Sequence, residues 1–263
     1  MFYDNFISRF ILRKNFFKRL KNRYRREKRK LTRNEFDDMR DLFQAIGREP
    51  KHIFDCGANV GFVTHMFAQR FPSAQVHAFE PNPLVFNQLN AFHQKNPKVT
   101  PNNKGVGRES GQLVFNINKN SGTSSFLSPN DYNKKNFAKA DIEEKVVDVV
   151  CLHNYMQEHH IETLDILKLD IEGFELEALK GMPNLETNVN IIYTEVNLIP
   201  TYDDQPLIED IITYLRGKGF SILNFYGINE NKYHQAIITN LMFISTPFKK
   251  ELEKNTGSKY FGY

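Results

Sequence analysis

From Lys51 onward, short apolar runs alternate with segments whose apolar positions recur every three to four residues. Ile53–Cys56 reads as a strand, followed by a helix from about Val60 to Arg70 that Phe71-Pro72 stops. Gln75–Phe79 is a second strand, and Pro83–Lys95 is helical. A weak third strand falls around Val99–Asn103. Gln112–Ile117 and Val146–Leu152 are extended, with a short helix over His153–His159. Leu164–Leu169 is almost continuously apolar and ends on Asp170, as expected of a central parallel strand buried on both faces. Glu175–Lys180 opens the next helix. Asn190–Val196 is another central strand, with Glu195 near its end, and Pro206–Arg216 is helical up to Gly217 and Gly219. Ser221–Tyr226 and Leu241–Ser245 form an antiparallel hairpin across a loop at 227–239. This order predicts an α/β, doubly wound sheet of seven mostly parallel strands, helices on both faces, and an antiparallel strand at one edge. Residues 118–142, rich in Asn, Ser, Gly and Lys, read as a long surface loop, and residues 249–263 as a loose tail.

Residues 1–46 follow a different pattern. Phe2, Phe6, Phe10, Phe17, Leu20 and Tyr24 share one helical face, interrupted by Arg13, and the rest of that helix is densely basic. A second helix runs from about Arg33 to Ile46, and Gly47 and Pro50 mark the boundary of the main domain, 47–248. The net charge of +4 conceals an asymmetry: residues 1–33 hold 13 Lys/Arg against Asp4 and Glu27, so residues 34–263 carry −7. Three readings suit the basic segment: packing on its own domain, an anionic membrane surface, and RNA, the last disfavoured by the acidic body. No run reaches the roughly 18 apolar residues of a membrane span, and charges interrupt the N-terminus too often for a signal peptide. Two cysteines, Cys56 and Cys151, are too few for a disulfide framework. The expected setting is cytoplasmic, with peripheral attachment to the inner face of the membrane if residues 1–33 bind lipid.

The stretch His52–Gly61 places a Gly-containing turn between a strand and a helix, and the next strand ends on Glu80-Pro81. In a parallel α/β sheet, that is where a nucleoside cofactor sits. A dinucleotide fingerprint needs a third glycine, yet only Gly57 and Gly61 are present, with Thr64 where a third might be sought. Asp55 before the turn would repel a pyrophosphate but can hydrogen-bond an ammonium group. S-adenosylmethionine, with an amino-acid end and no phosphate, fits this turn better than a nicotinamide dinucleotide. Glu80 suits the two ribose hydroxyls.

Further pieces follow in order: Phe54-Asp-Cys-Gly-Ala-Asn-Val-Gly61, His77-Ala-Phe-Glu-Pro81, Gly122-Thr-Ser-Ser125, Leu167-Lys-Leu-Asp-Ile-Glu-Gly-Phe-Glu175 and Tyr193-Thr-Glu195. Together they resemble the FkbM family of S-adenosylmethionine-dependent methyltransferases over roughly residues 50–246. Asp170-Ile-Glu-Gly173 is the most specific part. The resemblance implies a Rossmann-like class I methyltransferase fold and O-methylation, often of sugars and natural products. It says nothing of residues 1–45.

Asp55 resembles the family's acid facing the methionine moiety, and Gly57 and Gly61 let backbone approach the ligand. Asn59 is expected at the methionine end. Glu80, Pro81, Asn82, Asn103 and Gly107 are expected on the ribose and adenine side. Ser124 and Ser125 match a family Ser pair. Asp170, also counted as a cofactor neighbour, stands with Glu172 at the carboxyl end of the central strand, and Glu195 on the next strand could face them. Converging carboxylates could hold a divalent cation, or one could act as general base; a helix N-terminus is also an ordinary place for acids. Among the histidines, His65, His153, His159 and His160 have no distinguishing spacing, while His234 and Tyr226 lie in a hairpin that could reach over the acceptor. The expected acceptor is a hydroxyl of a saccharide, glycolipid or related small molecule. The competing readings are an RNA methyltransferase, a non-catalytic nucleotide-binding interaction protein and a nicotinamide dehydrogenase.

Overall fold

The computed structural model describes residues 34–136 and 142–257. The chain separates into two units, 1–38 and 39–263. Of the first only residues 34–38 are described, and the amphipathic segment expected over residues 1–33 lies outside them. Asn34 caps helix α1 (Glu35–Ala45) by accepting the Asp37 N–H at 3.0 Å.

The main sheet is built from β1 (His52–Cys56), β2 (Gln75–Phe79), β3 (Val99–Asn102), β7 (Leu164–Leu169), β8 (Val189–Asn197), β9 (Phe220–Glu230) and β10 (Ala236–Ser245). Their spatial order is β3-β2-β1-β7-β8-β10-β9. The first five run parallel, while β10 is antiparallel to both β8 and β9 and so lies between the parallel block and the edge. All six residues of β7 are buried, as its apolar run requires in mid-sheet. Alternate side chains serve opposite faces. Phe54, Cys56, Leu167, Leu169 and Ile192 pack with Tyr155, Leu179 and Leu215. Elsewhere Phe43 lies 5.2 Å from Phe248 and 6.5 Å from Phe71, ring centre to ring centre. The fold is the Rossmann-like class I arrangement expected. No described helix is long and apolar enough to cross a membrane.

Three expectations change. β5 (Gly111–Ile117) and β6 (Glu143–Cys151) leave the main sheet and join β4 (Gly105–Gly107) in a separate three-stranded one, ordered β4-β6-β5. The first four residues of each are exposed, which suits a half-solvated sheet and not a layer covered on both sides. The hairpin is longer than its apolar cores: most of 227–239 is strand, turning at residues 231–235. Residues 249–256 are no loose tail, because Thr246–Thr256 is a helix; Ser245 caps it by accepting the Phe248 N–H, and Phe248 and Leu252 are buried.

Candidate functional site

The turn after β1 is shaped by backbone that few side chains tolerate: Gly57, Asn59 and Gly61 have φ of 76°, 48° and 94°. A Cβ on Gly57 would collide with the Asp170 carbonyl oxygen, so glycine lets the loops after β1 and β7 touch. Gly57 and Ala58 donate their N–H groups to the Phe79 carbonyl, both at 3.0 Å, which ties the turn to the end of β2. Glu80, the next residue, is 7 % exposed and receives N–H groups from Asn59 (2.9 Å) and Asn82 (2.8 Å), one on each oxygen. Burial pushes its pKa up to about 7 against the opposing pull of those two donors. Asn103 holds this segment from below, donating to the carbonyls of Glu80 (2.9 Å) and Pro81 (3.2 Å).

Lys168 organises the other side. It is 3 % exposed in β7, with Nζ 3.0 Å from Asp55 Oδ1 and 3.4 Å from Asp170 Oδ2, and it donates to the carbonyls of Cys56 (3.2 Å) and Gly57 (3.0 Å). Burial disfavours its charge, but Asp55 and Asp170 outweigh that and hold its pKa above the ordinary lysine value. Carboxylate oxygens of Asp170, Glu172 and Glu195 lie within 4.8 Å of one another. Burial, and then the charge on Asp170, drives Glu172 and Glu195 well above the usual carboxylate range. Glu172 has φ 57° and Gly173 φ 95°, so the chain turns sharply after the strand. Three contacts hold that turn: Ser125 Oγ donates to the Glu172 carbonyl (2.6 Å), and Glu175 Oε1 accepts from Ile171 N (2.8 Å) and Gly173 N (3.3 Å). The Tyr202 hydroxyl lies within donating distance of Glu172 Oε2 (2.9 Å) and of the Thr123 carbonyl (3.0 Å).

Between these two ends lies a cavity of about 220 Å³. Gly57, Asn59, Glu80, Pro81, Ser124, Asp170, Glu172 and Glu195 all line it, so the structure brings together residues spread over 139 positions of sequence, from 57 to 195. Other candidates stand behind the wall. Asp55 is fully buried, accepts from Thr64 Oγ1 (2.6 Å) and pairs with Lys168, so it does not face the cavity as expected. Gly61 has a packing reason, since a Cβ would meet Leu89 and His93 at 2.8 and 2.9 Å. Asn82 caps the helix Pro83–His93 and supports Glu80. Gly107 sits in β4 against Val149 and Phe174 and does not itself line the cavity. Ser125 is buried and acts on the Glu172 backbone. His234 does not line the cavity: its side chain is 91 % exposed at the turn of the lengthened hairpin, 3.3 Å from Glu230.

Sequence reasoning missed Lys104, Ser121 and Phe126, which also line the cavity, and Lys168 and Tyr202 behind it. Lys168 had a legible signal. A lysine inside an apolar central strand is almost never buried without acidic partners. Tyr202 had none, because it reaches Glu172 from a loop 30 residues away. Hard oxygen ligands such as the carboxylates of Asp170, Glu172 and Glu195 suit Mg²⁺ or Mn²⁺ more than a soft metal.

Residues 55–222 match the sequence profile of the methyltransferase FkbM domain. The chain is 28 % identical over 194 positions to the methyltransferase sdnD of Sordaria araneosa, covering 65 % of this chain and 73 % of that one. It is 27 % identical over 167 positions to the hexuronic acid methyltransferase AglP of Haloferax volcanii, covering 63 % of each chain. With the 31-O-demethyl-FK506 methyltransferase FkbM of Streptomyces tacrolimicus it shares 25 % over 219 positions, covering 73 % and 82 %. Among solved structures, magnesium protoporphyrin IX methyltransferase from Synechocystis PCC 6803 superposes with a TM-score of 0.45 at 15 % identity, covering 80 % of this chain and 78 % of that one. With the profile spanning most of the sheet and both ends of the cavity, the chain belongs to the FkbM methyltransferase family and is an S-adenosylmethionine-dependent methyltransferase.

Proposed function

We propose that the protein transfers a methyl group to a hydroxyl oxygen of a saccharide or a related small molecule. The observation that carries this reading is one cavity with two unlike acidic ends: Glu80, fixed by backbone donors, and the crowded trio Asp170, Glu172 and Glu195. Bound S-adenosylmethionine supplies a methyl group on a cationic sulfonium. Glu80 accepts the ribose hydroxyls, each of its oxygens retaining a free lone pair beside the backbone donor it already holds. Among the lining residues, Gly57 and Asn59 would hold the amino-acid portion, and Pro81, Lys104 and Val106 the adenine. At the far end a carboxylate takes the acceptor's hydroxyl proton as the oxygen–carbon bond forms and the sulfur–carbon bond breaks. Holding the hydroxyl in line with the methyl group supplies a further part of the rate. The sugar preference draws on the hexuronic acid relative.

The test is incubation with isotope-labelled S-adenosylmethionine and a glycan or lipid extract, with mass spectrometry of whatever gains a methyl group. Absence of label from every glycan and lipid species would overturn the acceptor class. The three clustered carboxylates favour a second version, in which Asp170, Glu172 and Glu195 hold a divalent cation that polarises the acceptor hydroxyl. Turnover abolished by EDTA and restored by Mg²⁺ or Mn²⁺ selects that version, and turnover indifferent to EDTA selects a protein base. Residues 1–33 carry the separate proposal of attachment to an anionic membrane. Liposome sedimentation of the full chain and of one lacking residues 1–33 decides it, and equal partitioning ends it.

A further inference from the structure

A second cavity, of about 410 Å³, adjoins the first, and Ser121 lines both. Its wall includes Asn118, which is 4 % exposed, and neither side-chain atom of Asn118 has a hydrogen-bond partner among the described residues. The Asn118 backbone is firmly placed, its N–H donating to Ser124 Oγ at 2.9 Å. A fully buried amide lacking both a donor and an acceptor partner is costly, and such groups are rare in folded proteins. Leu84, 72 % exposed, and the buried Val85 form an apolar wall of the same cavity.

We infer that this cavity is a subsite for a sugar unit, contiguous with the cofactor cavity. The inference rests on the proposed saccharide acceptor for the ligand's identity. The chemistry selects a hydroxyl-bearing ligand over an anion. Asn118 carries one acceptor and two donors without partners, and Lys119 and Glu143 on the same wall add a donor and an acceptor. Lys119 and Glu143 balance in charge; a phosphate or carboxylate could satisfy the donors and meet Lys119 but would leave the Asn118 carbonyl unmet and face the Glu143 charge. A sugar hydroxyl both donates and accepts, and the C–H face of a pyranose ring covers Leu84 and Val85. The volume lies within the range of about 300–1,000 Å³ typical of small-ligand sites. A ligand there touches Ser121, as does a ligand in the first cavity, so an acceptor longer than one sugar can occupy both.

The test uses the full chain, with cellobiose, maltose and lactose as probes in saturation-transfer NMR. The wild type binds at least one of the three. Asn118→Leu, which keeps the volume and removes both polar atoms, weakens that binding by about tenfold while S-adenosylmethionine affinity stays unchanged. Leu84→Ser, at an exposed position that does not threaten folding, weakens it by a few-fold. No binding by the wild type, or equal binding by the wild type and Asn118→Leu, overturns the subsite. The labelled-extract assay separates this failure from that of the acceptor class. Extract labelled equally by both forms refutes the subsite alone. Asn118-dependent sugar binding with no label in any glycan refutes the acceptor class alone.

Discussion

The two ends of the first cavity are both acidic, but they are built in opposite ways. At the β2 end one carboxylate, Glu80, receives backbone N–H groups on both oxygens and has no other carboxylate in hydrogen-bond contact among the described residues. At the β7 end, carboxylates of three residues crowd within 4.8 Å, and the buried ammonium of Lys168 reaches only one of them, Asp170. Backbone donors fix a carboxylate's position and leave lone pairs for a ligand, as holding a ribose requires. Burial, and then crowding by like charge, raises the proton affinity of Glu172 and Glu195 without fixing any one of them so tightly, as moving a proton or binding a cation requires. Under the proposed function, this difference gives binding to one end and chemistry to the other.

The sharpest way to break this contrast is to neutralise the β7 end. Asp170→Asn should lower kcat by about 100-fold or more, the range of positioned acid–base groups, with S-adenosylmethionine affinity changed less than about threefold. Steady-state kinetics beside calorimetry checks it, and a loss confined to cofactor affinity would move Asp170 to the binding end. The next largest effect is on stability. Lys168→Met leaves Asp55 fully buried without its cation, at a cost of about 3–5 kcal/mol by thermal or denaturant unfolding. Adding Asp55→Asn removes the orphaned charge and should recover most of that loss. If the double variant is as unstable as the single one, Lys168 acts through its contacts to Cys56 and Gly57 instead.

At the β2 end, Glu80→Ala should weaken S-adenosylmethionine by about 10–100-fold and leave the kcat of the saturated enzyme nearly unchanged. The same residue gives a pH signature. Its pKa is raised from 4.5 to about 7, so the folded protein holds this proton over a range where an unfolded glutamate has released it. Its contribution therefore lowers fold stability as pH climbs from about 4.5 to about 7, and is level above that. Accepting ribose hydroxyls on both oxygens needs the ionised form, so cofactor affinity should rise by about tenfold between about pH 6 and about pH 8. Calorimetry at the two pH values checks the rise, and Glu80→Gln should flatten it.

The binding end was far more legible in the sequence than the chemical end. Strand, turn, helix and strand are contiguous between His52 and Glu80, and each is set by local apolar period, glycine or proline. Glu80 could be read from its place at a strand end. Asp55 looked equally good, because adjacency in sequence does not say which way a strand residue points. Its alternation with Phe54 and Cys56 puts it under Lys168, within the sheet layer. The chemical end depends on contacts that no local pattern carries, such as Tyr202 on Glu172 and Ser125 on the Glu172 carbonyl. His234 failed for a related reason: strand length is set by pairing with β9, which continues through residues of low apolar content.

The smallest effect expected is also the most discriminating for the chemical end. Tyr202 has one phenolic proton and two acceptors in reach, Glu172 Oε2 at 2.9 Å and the Thr123 carbonyl at 3.0 Å. It cannot donate to both at once. A carbonyl oxygen can only accept, whereas Glu172, pushed well above the usual carboxylate range, can carry its own proton. When Glu172 is ionised the phenol donates to it; when Glu172 is protonated it can donate to the phenol, which turns to Thr123. The hydroxyl thus follows the charge on Glu172 and stabilises both states. Tyr202→Phe removes that partner and keeps the ring, which is buried. If Glu172 changes its proton during turnover, kcat should fall by about 3–10-fold and the pH–rate profile should shift with it, one hydrogen bond being worth about 0.5–1.5 kcal/mol. An unchanged profile with an equal loss in thermal stability would make Tyr202 a prop for the loop 121–124, and leave Asp170 and Glu195 to do the chemistry.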